Sequence, residues 1–241
     1  MEQKTLLLTG ASRGIGLATV RRFHNEGWRV ITCSRNPVPE NCPWDDKENH
    51  IQVDLSDPAD TINTVGVLQD LIGGKLHALV NNAGVSPKGP NGERLSTLNT
   101  DLMTWGQVFH VNFFASVVLA RGLKEELTAA RGSVVNVTSI AGSRVHPFAG
   151  AAYATSKAAL AALTREMAHD LGPLGVRVNA IAPGEVETSI LSPGTEKIVA
   201  NLPMGRLGAP DEVAAAIYFL CSQDSSYISG AEIEVNGAQH V

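Results

Sequence analysis

Residues 5–16 read Thr-Leu-Leu-Leu-Thr-Gly-Ala-Ser-Arg-Gly-Ile-Gly, and this stretch decides the fold. The leucines are apolar at successive positions, as a strand buried on both faces of a parallel sheet requires. The glycines let the backbone turn sharply into a helix, whose free N–H groups then point at an anion. The stretch therefore predicts a strand, a phosphate-binding turn and a helix.

The same alternation of strand and helix continues along the chain. Short β-branched runs predict strands, and longer apolar periodic stretches predict helices. The predicted strands cover residues 5–9, 29–33, 50–53, 78–81, 133–138, 177–181 and 232–235, and the predicted helices cover residues 15–26, 59–72, 101–130, 151–171 and 210–222. This order predicts a single-domain doubly wound Rossmann fold over residues 1–241, with a parallel seven-stranded sheet and helices on both faces.

Three segments rich in turn-forming residues interrupt this order, at residues 36–49, 86–100 and 185–204. We interpret each as a loop elaboration on one domain.

The uncharged run between Asp101 and Arg121 is long enough to span a bilayer, but polar residues interrupt it, which favours a buried helix.

Composition excludes several classes of protein. Nineteen basic and 24 acidic residues among 241 leave a net charge of −5, which argues against a nucleic-acid binder. The cysteines, Cys33, Cys42 and Cys221, have no metal-ligand spacing, and their odd number makes a disulfide framework improbable. We expect a cytoplasmic protein with no metal site, no membrane segment and no export signal.

The glycine turn allows three interpretations. Its spacing is G-x-x-x-G-x-G, which in this position indicates a phosphate-binding loop, although a plain tight turn has the same composition. Gly10 to Gly14 also reads G-x-S-x-G, the pattern of a nucleophile elbow, which would make Ser12 the nucleophile of a serine hydrolase.

A candidate acid–base pair opens the fourth of the longer helical stretches. Tyr153 and Lys157 are four residues apart, so they lie on one face of the helix. A nearby ammonium favours the tyrosinate form, so we expect Lys157 to lower the pKa of Tyr153. A tyrosine with a lowered pKa can act as general acid or base on a carbonyl or hydroxyl oxygen.

Polar and small residues follow three predicted strands at the edge where open α/β sheets bind ligands. Ser139 lies just past the fifth strand, and Asn81-Asn82-Ala83-Gly84 ends the fourth. Pro183-Gly184 and Thr188 follow the sixth. These strand ends, the glycine turn and the Tyr153 helix are therefore expected to meet in one crevice.

This set of motifs resembles the short-chain dehydrogenase/reductase family, and the resemblance covers nearly the whole chain. The matching pieces are the glycine turn, Asp54-Leu55, Asn81–Gly84, Asn112, Ser139, Tyr153 with Lys157, Pro183-Gly184 with Thr188, and the tail Tyr227-Ile228-Ser229-Gly230 to Val235-Asn236-Gly237. The family implies an oxidoreductase that interconverts a carbonyl and a secondary alcohol, with hydride supplied by a nicotinamide cofactor.

The resemblance also implies a role for each matching residue. Tyr153 would exchange a proton with the substrate oxygen, and Ser139 would hydrogen-bond that oxygen. Lys157 would bind the nicotinamide ribose and act on Tyr153, and Asn112 would hold a water that links Lys157 to solvent. The implied cofactor contacts are Gly10, Ser12, Arg13, Gly14, Ile15, Gly16, Ser34, Arg35, Asp54, Leu55, Asn82, Ala83, Gly84, Tyr153, Lys157, Pro183, Gly184, Val186 and Thr188.

The end of the second strand indicates which nicotinamide cofactor is used. NAD enzymes of this fold place an acidic residue there to accept the ribose hydroxyls, whereas this chain has Ser34. Arg35 follows at once, and Arg13 lies in the glycine turn; a guanidinium binds phosphate oxygens bidentately. We therefore expect NADP(H).

Within the family the chain is most similar to 3-oxoacyl-acyl-carrier-protein reductases and to bacterial carbonyl reductases. Ala130 and Leu174 stand where carrier-protein reductases place arginines that dock the acidic carrier, and Arg131 is displaced by one position. A small ketone or sugar is therefore preferred as substrate, with 3-oxoacyl-carrier-protein reduction as the alternative. His146 and Phe148 are candidates for lining the substrate cleft, and a non-catalytic NADP sensor is a remote alternative.

The two longest helical stretches, residues 101–130 and 151–171, are rich in apolar and small residues. In this family the corresponding helices pair across a subunit interface. We therefore expect a homo-oligomer, a dimer or a homotetramer.

Overall fold

The structure, a computed structural model, describes residues 2–37, 47–188 and 199–241. Its strands are β1 Thr5–Thr9, β2 Arg29–Ser34, β3 His50–Gln52, β4 Ala78–Asn81, β5 Ser133–Val137, β6 Arg177–Pro183 and β7 Glu232–Val235. Its helices are α1 Gly14–Asn25, α2 Pro58–Ile72, α3 Leu102–Phe109, α4 Ala115–Gly122, α5 Lys124–Ala130, α6 Ala151–Leu171 and α7 Pro210–Cys221. The predicted strands and helices are confirmed within a few residues at their ends, except in the stretch 101–130.

The strands form one sheet in the order β3-β2-β1-β4-β5-β6-β7, and every neighbouring pair is parallel. The order reverses direction beside β1, where Leu7 pairs with Ile31 of β2 and with Leu79 of β4. Carboxyl strand ends on either side of such a switch point separate and leave a crevice. The predicted doubly wound α/β fold is confirmed.

Each face of the sheet has its own core. Leu7 packs on one face with Leu68 of α2 and Leu119 of α4. Leu6 and Leu8 point to the other face, because successive strand side chains alternate, and there they join α1 and α7. The fully apolar sequence of β1 follows from burial on both sides.

The stretch 101–130 is not one helix, as the sequence predicted. A π-helical turn at His110–Phe114 separates α3 from α4, and Leu123, with φ −104° and ψ 20°, separates α4 from α5. The π turn carries the buried Asn112. Such single turns often lie at functional sites, and they have no sequence signature.

By length and composition alone, the helical segment Leu102–Gly122 is able to cross a membrane, a test that core helices of soluble proteins also pass. One face of it packs against α6 and α2. The expected buried helix is thus half-buried, with Leu102 and Met103 exposed.

Cys33 and Cys221 are buried free thiols, and burial raises the pKa of each to about 12. A thiol with so high a pKa is a poor nucleophile and a poor metal ligand. Cys42 and parts of the turn-rich segments 36–49 and 185–204 lie outside the described residues.

Candidate active site

A cavity of about 580 Å³ opens at the carboxyl edge of the sheet. This is a typical volume for a cofactor or ligand site. Its wall contains the predicted residues Gly10, Ser12, Arg13, Gly14, Ile15, Gly16, Ser34, Arg35, Asp54, Leu55, Asn82, Ala83, Gly84, Ser139, Tyr153, Lys157, Pro183, Gly184, Val186 and Thr188. Of the predicted site residues, Asn112 alone lies behind this wall.

The glycine turn packs closely against neighbouring backbone at the cavity wall. Gly10 has a φ of +71°, which side-chain-bearing residues rarely adopt. A Cβ on Gly16 would lie 2.1 Å from the Gly10 carbonyl oxygen, so no other residue fits there. Asn82 fixes the turn, because its Nδ2 donates to the carbonyls of Thr9 and Gly10 at 3.0 and 2.9 Å.

The first turn of α1 is suited to bind an anion. Arg13 occupies the position before the helix, no acidic residue lies in the first turn, and no side chain caps the free N–H groups. These N–H groups and the helix dipole favour a phosphate.

Ser12 is exposed, and no histidine in the described ranges hydrogen-bonds its hydroxyl, so the hydrolase interpretation gains no support.

The end of β2 borders the same cavity. The Ser34 hydroxyl donates to the Asn36 carbonyl at 2.8 Å, and Arg35 is exposed beside it. Across from them, hydrogen bonds from Ser56 lower the pKa of Asp54, with a smaller contribution from the positive charge of Arg35. This end of the cavity therefore presents arginine, hydroxyl and carboxylate groups to a ligand.

Lys157 is a buried cation held by a strand end. Its Nζ donates to the Val137 carbonyl of β5 at 2.6 Å, and the residue is 3% exposed. Burial lowers the pKa of Lys157 to about 8. A Cβ on Gly84 would lie 3.4 Å from this Nζ, so the ammonium borders the cavity at the end of β4.

Tyr153 and Ser139 line the cavity beside Lys157. Burial raises the pKa of Tyr153, while the hydrogen bond with Ser139 opposes this rise. The expectation that Lys157 lowers the pKa of Tyr153 is wrong in this structure, because the cost of burying a tyrosinate dominates. The Lys157 ammonium lies 5.8 Å from the Tyr153 ring centroid.

Asn112 joins three elements behind the cavity. Its Oδ1 accepts from the Val85 amide at 2.8 Å, and its Nδ2 donates to the Val85 carbonyl at 3.1 Å. The same Nδ2 donates to the Ser156 hydroxyl of α6 at 3.0 Å. Asn112 therefore positions the segment after β4 against the helix that carries Tyr153 and Lys157.

The structure adds charged residues that the sequence did not single out. Glu185 follows β6 on the cavity wall, and Lys88, in the segment 86–100, lines the same cavity near enough for the two charges to interact. Arg94, from the same segment, donates to the carbonyls of His146 and Ala149 at 3.2 and 2.7 Å. No motif marks these residues. The predicted His146 and Phe148 also line the cavity.

The fold is that of a doubly wound α/β protein, and the glycine turn at its cavity resembles the phosphate-binding turns of nucleotide-binding proteins. A family model described as Enoyl-(Acyl carrier protein) reductase matches residues 10–240. The chain belongs to the short-chain dehydrogenase/reductase family of oxidoreductases.

Three relatives show the range of this similarity. Protein FixR of Bradyrhizobium diazoefficiens is 59% identical over 244 residues, covering 100% of this chain and 88% of that protein. An oxidoreductase of the same family from Brucella ovis, solved with a partially ordered NAD, is 58% identical, covers 98% of this chain and all of that one, and has a TM-score of 0.85. A 3-oxoacyl-[acyl-carrier protein] reductase from Brucella melitensis with bound NAD is 32% identical, covers 100% and 92% of the two chains, and has a TM-score of 0.88.

Proposed function

We propose that this protein is an NADP(H)-dependent oxidoreductase that interconverts a carbonyl and a secondary alcohol, with Tyr153 as general acid and base. One observation carries the proposal: Ser139 and Tyr153 line one cavity with Lys157 and with the glycine turn. This arrangement brings a proton donor, a second hydroxyl, a cation and an anion-binding helix end to one place.

The chain's own residues would divide the work as follows. Ser139 and Tyr153 line the same cavity, and Ser139 is near enough to influence the pKa of Tyr153, so both hydroxyls would reach one substrate oxygen. Tyr153 gives its proton to that oxygen during reduction and takes it back during oxidation. Lys157, the buried cation beside Gly84, would bind the ribose of the cofactor, and Asn112 keeps that segment in place. A bound nicotinamide supplies or accepts the hydride.

The glycine turn fits a dinucleotide, because it brings bare backbone against the cavity and leaves the N–H groups of α1 uncapped. The two Brucella relatives with NAD support a nicotinamide dinucleotide. We propose NADP(H) rather than NAD(H), because Ser34 leaves the ribose position without a carboxylate and the exposed Arg35 lies beside it. A carboxylate there would repel a 2′-phosphate, whereas an arginine attracts it.

The test is turnover of a panel of ketones, sugars and a 3-oxoacyl thioester, followed by NADPH absorbance. Tyr153→Phe removes only the hydroxyl group, and with it the exchangeable proton, and we expect it to lower kcat by about a hundredfold or more while the cofactor Kd stays nearly unchanged. Tyr227, which is fully exposed, provides the control Tyr227→Phe, for which we expect wild-type turnover. Near wild-type turnover by Tyr153→Phe would show that the proposed acid is wrong.

We also propose a cytoplasmic homo-oligomer, a dimer or tetramer. Leu102 and Met103 of α3 are 86% and 80% exposed, and Phe114, further along the same helical segment, is 46% exposed. These side chains form an apolar strip on the helices that are expected to pair between subunits. Light scattering at micromolar concentration tests this proposal, and a stable monomer would contradict it.

A further inference from the structure

A buried pair of titratable side chains lies on the substrate side of the cavity, and the proposed reaction does not use it. His146 Nε2 lies 2.7 Å from Glu185 Oε1, and the two side chains are 10% and 9% exposed. His146 comes from the loop before α6, and Glu185 follows β6, so two neighbouring strand ends are needed to form the pair.

The hydrogen bonds of His146 determine the direction of this contact. Its Nδ1 accepts from the backbone N–H groups of Phe148 and Ala149, both at 3.3 Å. The ring hydrogen is therefore on Nε2, which donates it to Glu185 Oε1. His146 thus acts as a positioning residue, and Glu185 is a carboxylate that accepts.

Two cations from the segment 86–100 hold the His146 loop in place. Lys88 donates to the Phe148 carbonyl, and Arg94 donates to the carbonyls of His146 and Ala149. Because these donors are bound to the loop backbone, they fix the position of His146 and, through it, of Glu185.

One oxygen of Glu185 remains for a ligand. Oε2 accepts no hydrogen bond from any residue in the described ranges, although the side chain is nearly buried and lines the cavity. Glu185 lines the same cavity as Ser139 and Tyr153, and its negative charge contributes to the raised pKa of Tyr153.

We propose, building on the function proposed above, that Glu185 selects carbonyl substrates that carry a hydroxyl or ammonium group on the carbon next to the carbonyl. The substrate's donor would bind Glu185 Oε2 while its carbonyl oxygen binds Ser139 and Tyr153. A substrate with a methyl group in that place leaves Oε2 of this nearly buried carboxylate without a donor, and binding sites built to hydrogen-bond a substrate group reject analogues that lack it. The acyl chain of a 3-oxoacyl thioester offers no such donor.

Three ketones of nearly equal size test this selection. Hydroxyacetone, aminoacetone and butanone differ only in a hydroxyl, an ammonium or a methyl group next to the carbonyl. We expect the wild type to have a kcat/KM for hydroxyacetone or aminoacetone at least about tenfold above that for butanone. The ratio of the first two distinguishes a neutral donor from a cationic one. Equal kcat/KM values for all three would overturn the proposal.

Two variants connect the selection with Glu185. Glu185→Gln keeps an oxygen for His146 but turns an NH₂ group, which is a donor, towards the cavity, so we expect the preference for aminoacetone over butanone to fall below about threefold. Glu187, exposed and two residues further along, provides the control Glu187→Gln, which should keep the wild-type preference. Retention of the full preference by Glu185→Gln would also overturn the proposal, and the wild-type comparison decides it even if this variant fails to fold.

A binding measurement separates this inference from the proposed function. Glycolamide and propionamide carry the same hydroxyl and methyl groups beside a carbonyl that is not reduced. We expect the wild type with bound NADPH to bind glycolamide at least about tenfold more tightly, by quenching of cofactor fluorescence. Tighter binding without turnover of any ketone would contradict the proposed function and support Glu185 as the selecting group, whereas equal binding of the two amides would contradict the selection.

Discussion

The Lys157 ammonium donates to the Val137 carbonyl at 2.6 Å, at the carboxyl end of β5. The Tyr153 ring centroid lies 5.8 Å from the same ammonium. In the chain itself, Lys157 is therefore fixed by the sheet rather than by the tyrosine. Its charge is buried at a place where the pKa of Lys157 falls to about 8.

We predict that Lys157 makes the stability of the protein depend on alkaline pH. The Lys157 ammonium loses its proton near pH 8 in the folded chain and near about pH 10.4 in the unfolded chain. Between these pH values the unfolded state binds more protons than the folded state, so the free energy of unfolding rises with pH. Relative to Lys157→Met, the free energy of unfolding of the wild type should increase by about 2 kcal/mol from pH 7 to pH 9.5. Urea denaturation of both proteins at the two pH values measures this.

The difference between the two proteins removes the contribution of other groups that titrate in this range. Arg165→Met, a change on the exposed face of the same helix, serves as control and should follow the wild type at both pH values. A difference between the wild type and Lys157→Met that does not change with pH would show that the lysine titrates normally.

The fold could be predicted from local sequence because each strand can be recognised from the pattern of its own residues. Runs such as Leu6-Leu7-Leu8 indicate burial on both faces, and the glycine turn marks the first βα junction. The sheet order then follows from the fold class, and the order brings the strand ends to one edge. This is why nearly all predicted site residues lie on one cavity wall.

Other features depend on distances that the sequence does not contain. The π turn around Asn112 has no pattern of its own in the sequence. Glu185 and His146 are 39 positions apart and meet only because β5 and β6 are neighbours. The direction of the Tyr153 pKa depends on burial, which the i, i+4 spacing could not reveal.

We predict that Asn112→Ala lowers the free energy of unfolding by about 2–3 kcal/mol. The substitution leaves both backbone groups of the partly buried Val85 without this partner, and it removes one hydrogen bond of the buried Ser156 hydroxyl, which keeps its bond to the Tyr153 carbonyl. Thermal and urea denaturation measure the loss. Asn63 is exposed on α2, so Asn63→Ala serves as control and should change stability little. A similar loss in both variants would mean that the Asn112 bridge contributes nothing of its own.

We predict that Arg94→Met raises KM for the carbonyl substrate by about tenfold and leaves the cofactor Kd unchanged. Arg94 holds the loop of His146 through two carbonyls, and that loop borders the substrate end of the cavity only. Steady-state kinetics and cofactor fluorescence measure the two quantities. Arg121→Met, at an exposed position on α4, serves as control and should leave both unchanged. A weaker cofactor affinity with an unchanged KM for the carbonyl substrate would contradict the prediction, because Arg94 would then act on the cofactor end of the cavity.

Cofactor choice depends on the end of β2. Ser34 donates its hydroxyl hydrogen to the Asn36 carbonyl, and His50 Nε2 lies 3.3 Å from the Ser34 hydroxyl oxygen. Arg35 is exposed on the cavity wall, and Arg13 precedes α1 on the same wall. A 2′-phosphate placed here would meet two guanidinium groups and no carboxylate at the strand end.

We therefore predict that the wild type prefers NADPH over NADH by about tenfold or more in kcat/KM, equivalent to about 1.4 kcal/mol. Ser34→Asp/Arg35→Ala introduces a charge that repels the phosphate and removes one that attracts it, so the preference should be lost or reversed. The Kd values of the two cofactors, measured by fluorescence, should change in the same direction without any substrate. Arg21→Ala, at an exposed position on α1, serves as control and should keep the wild-type preference. If the wild type binds and uses both cofactors equally, or prefers NADH, then Ser34 and Arg35 do not select the phosphate and the assignment to NADP(H) is wrong.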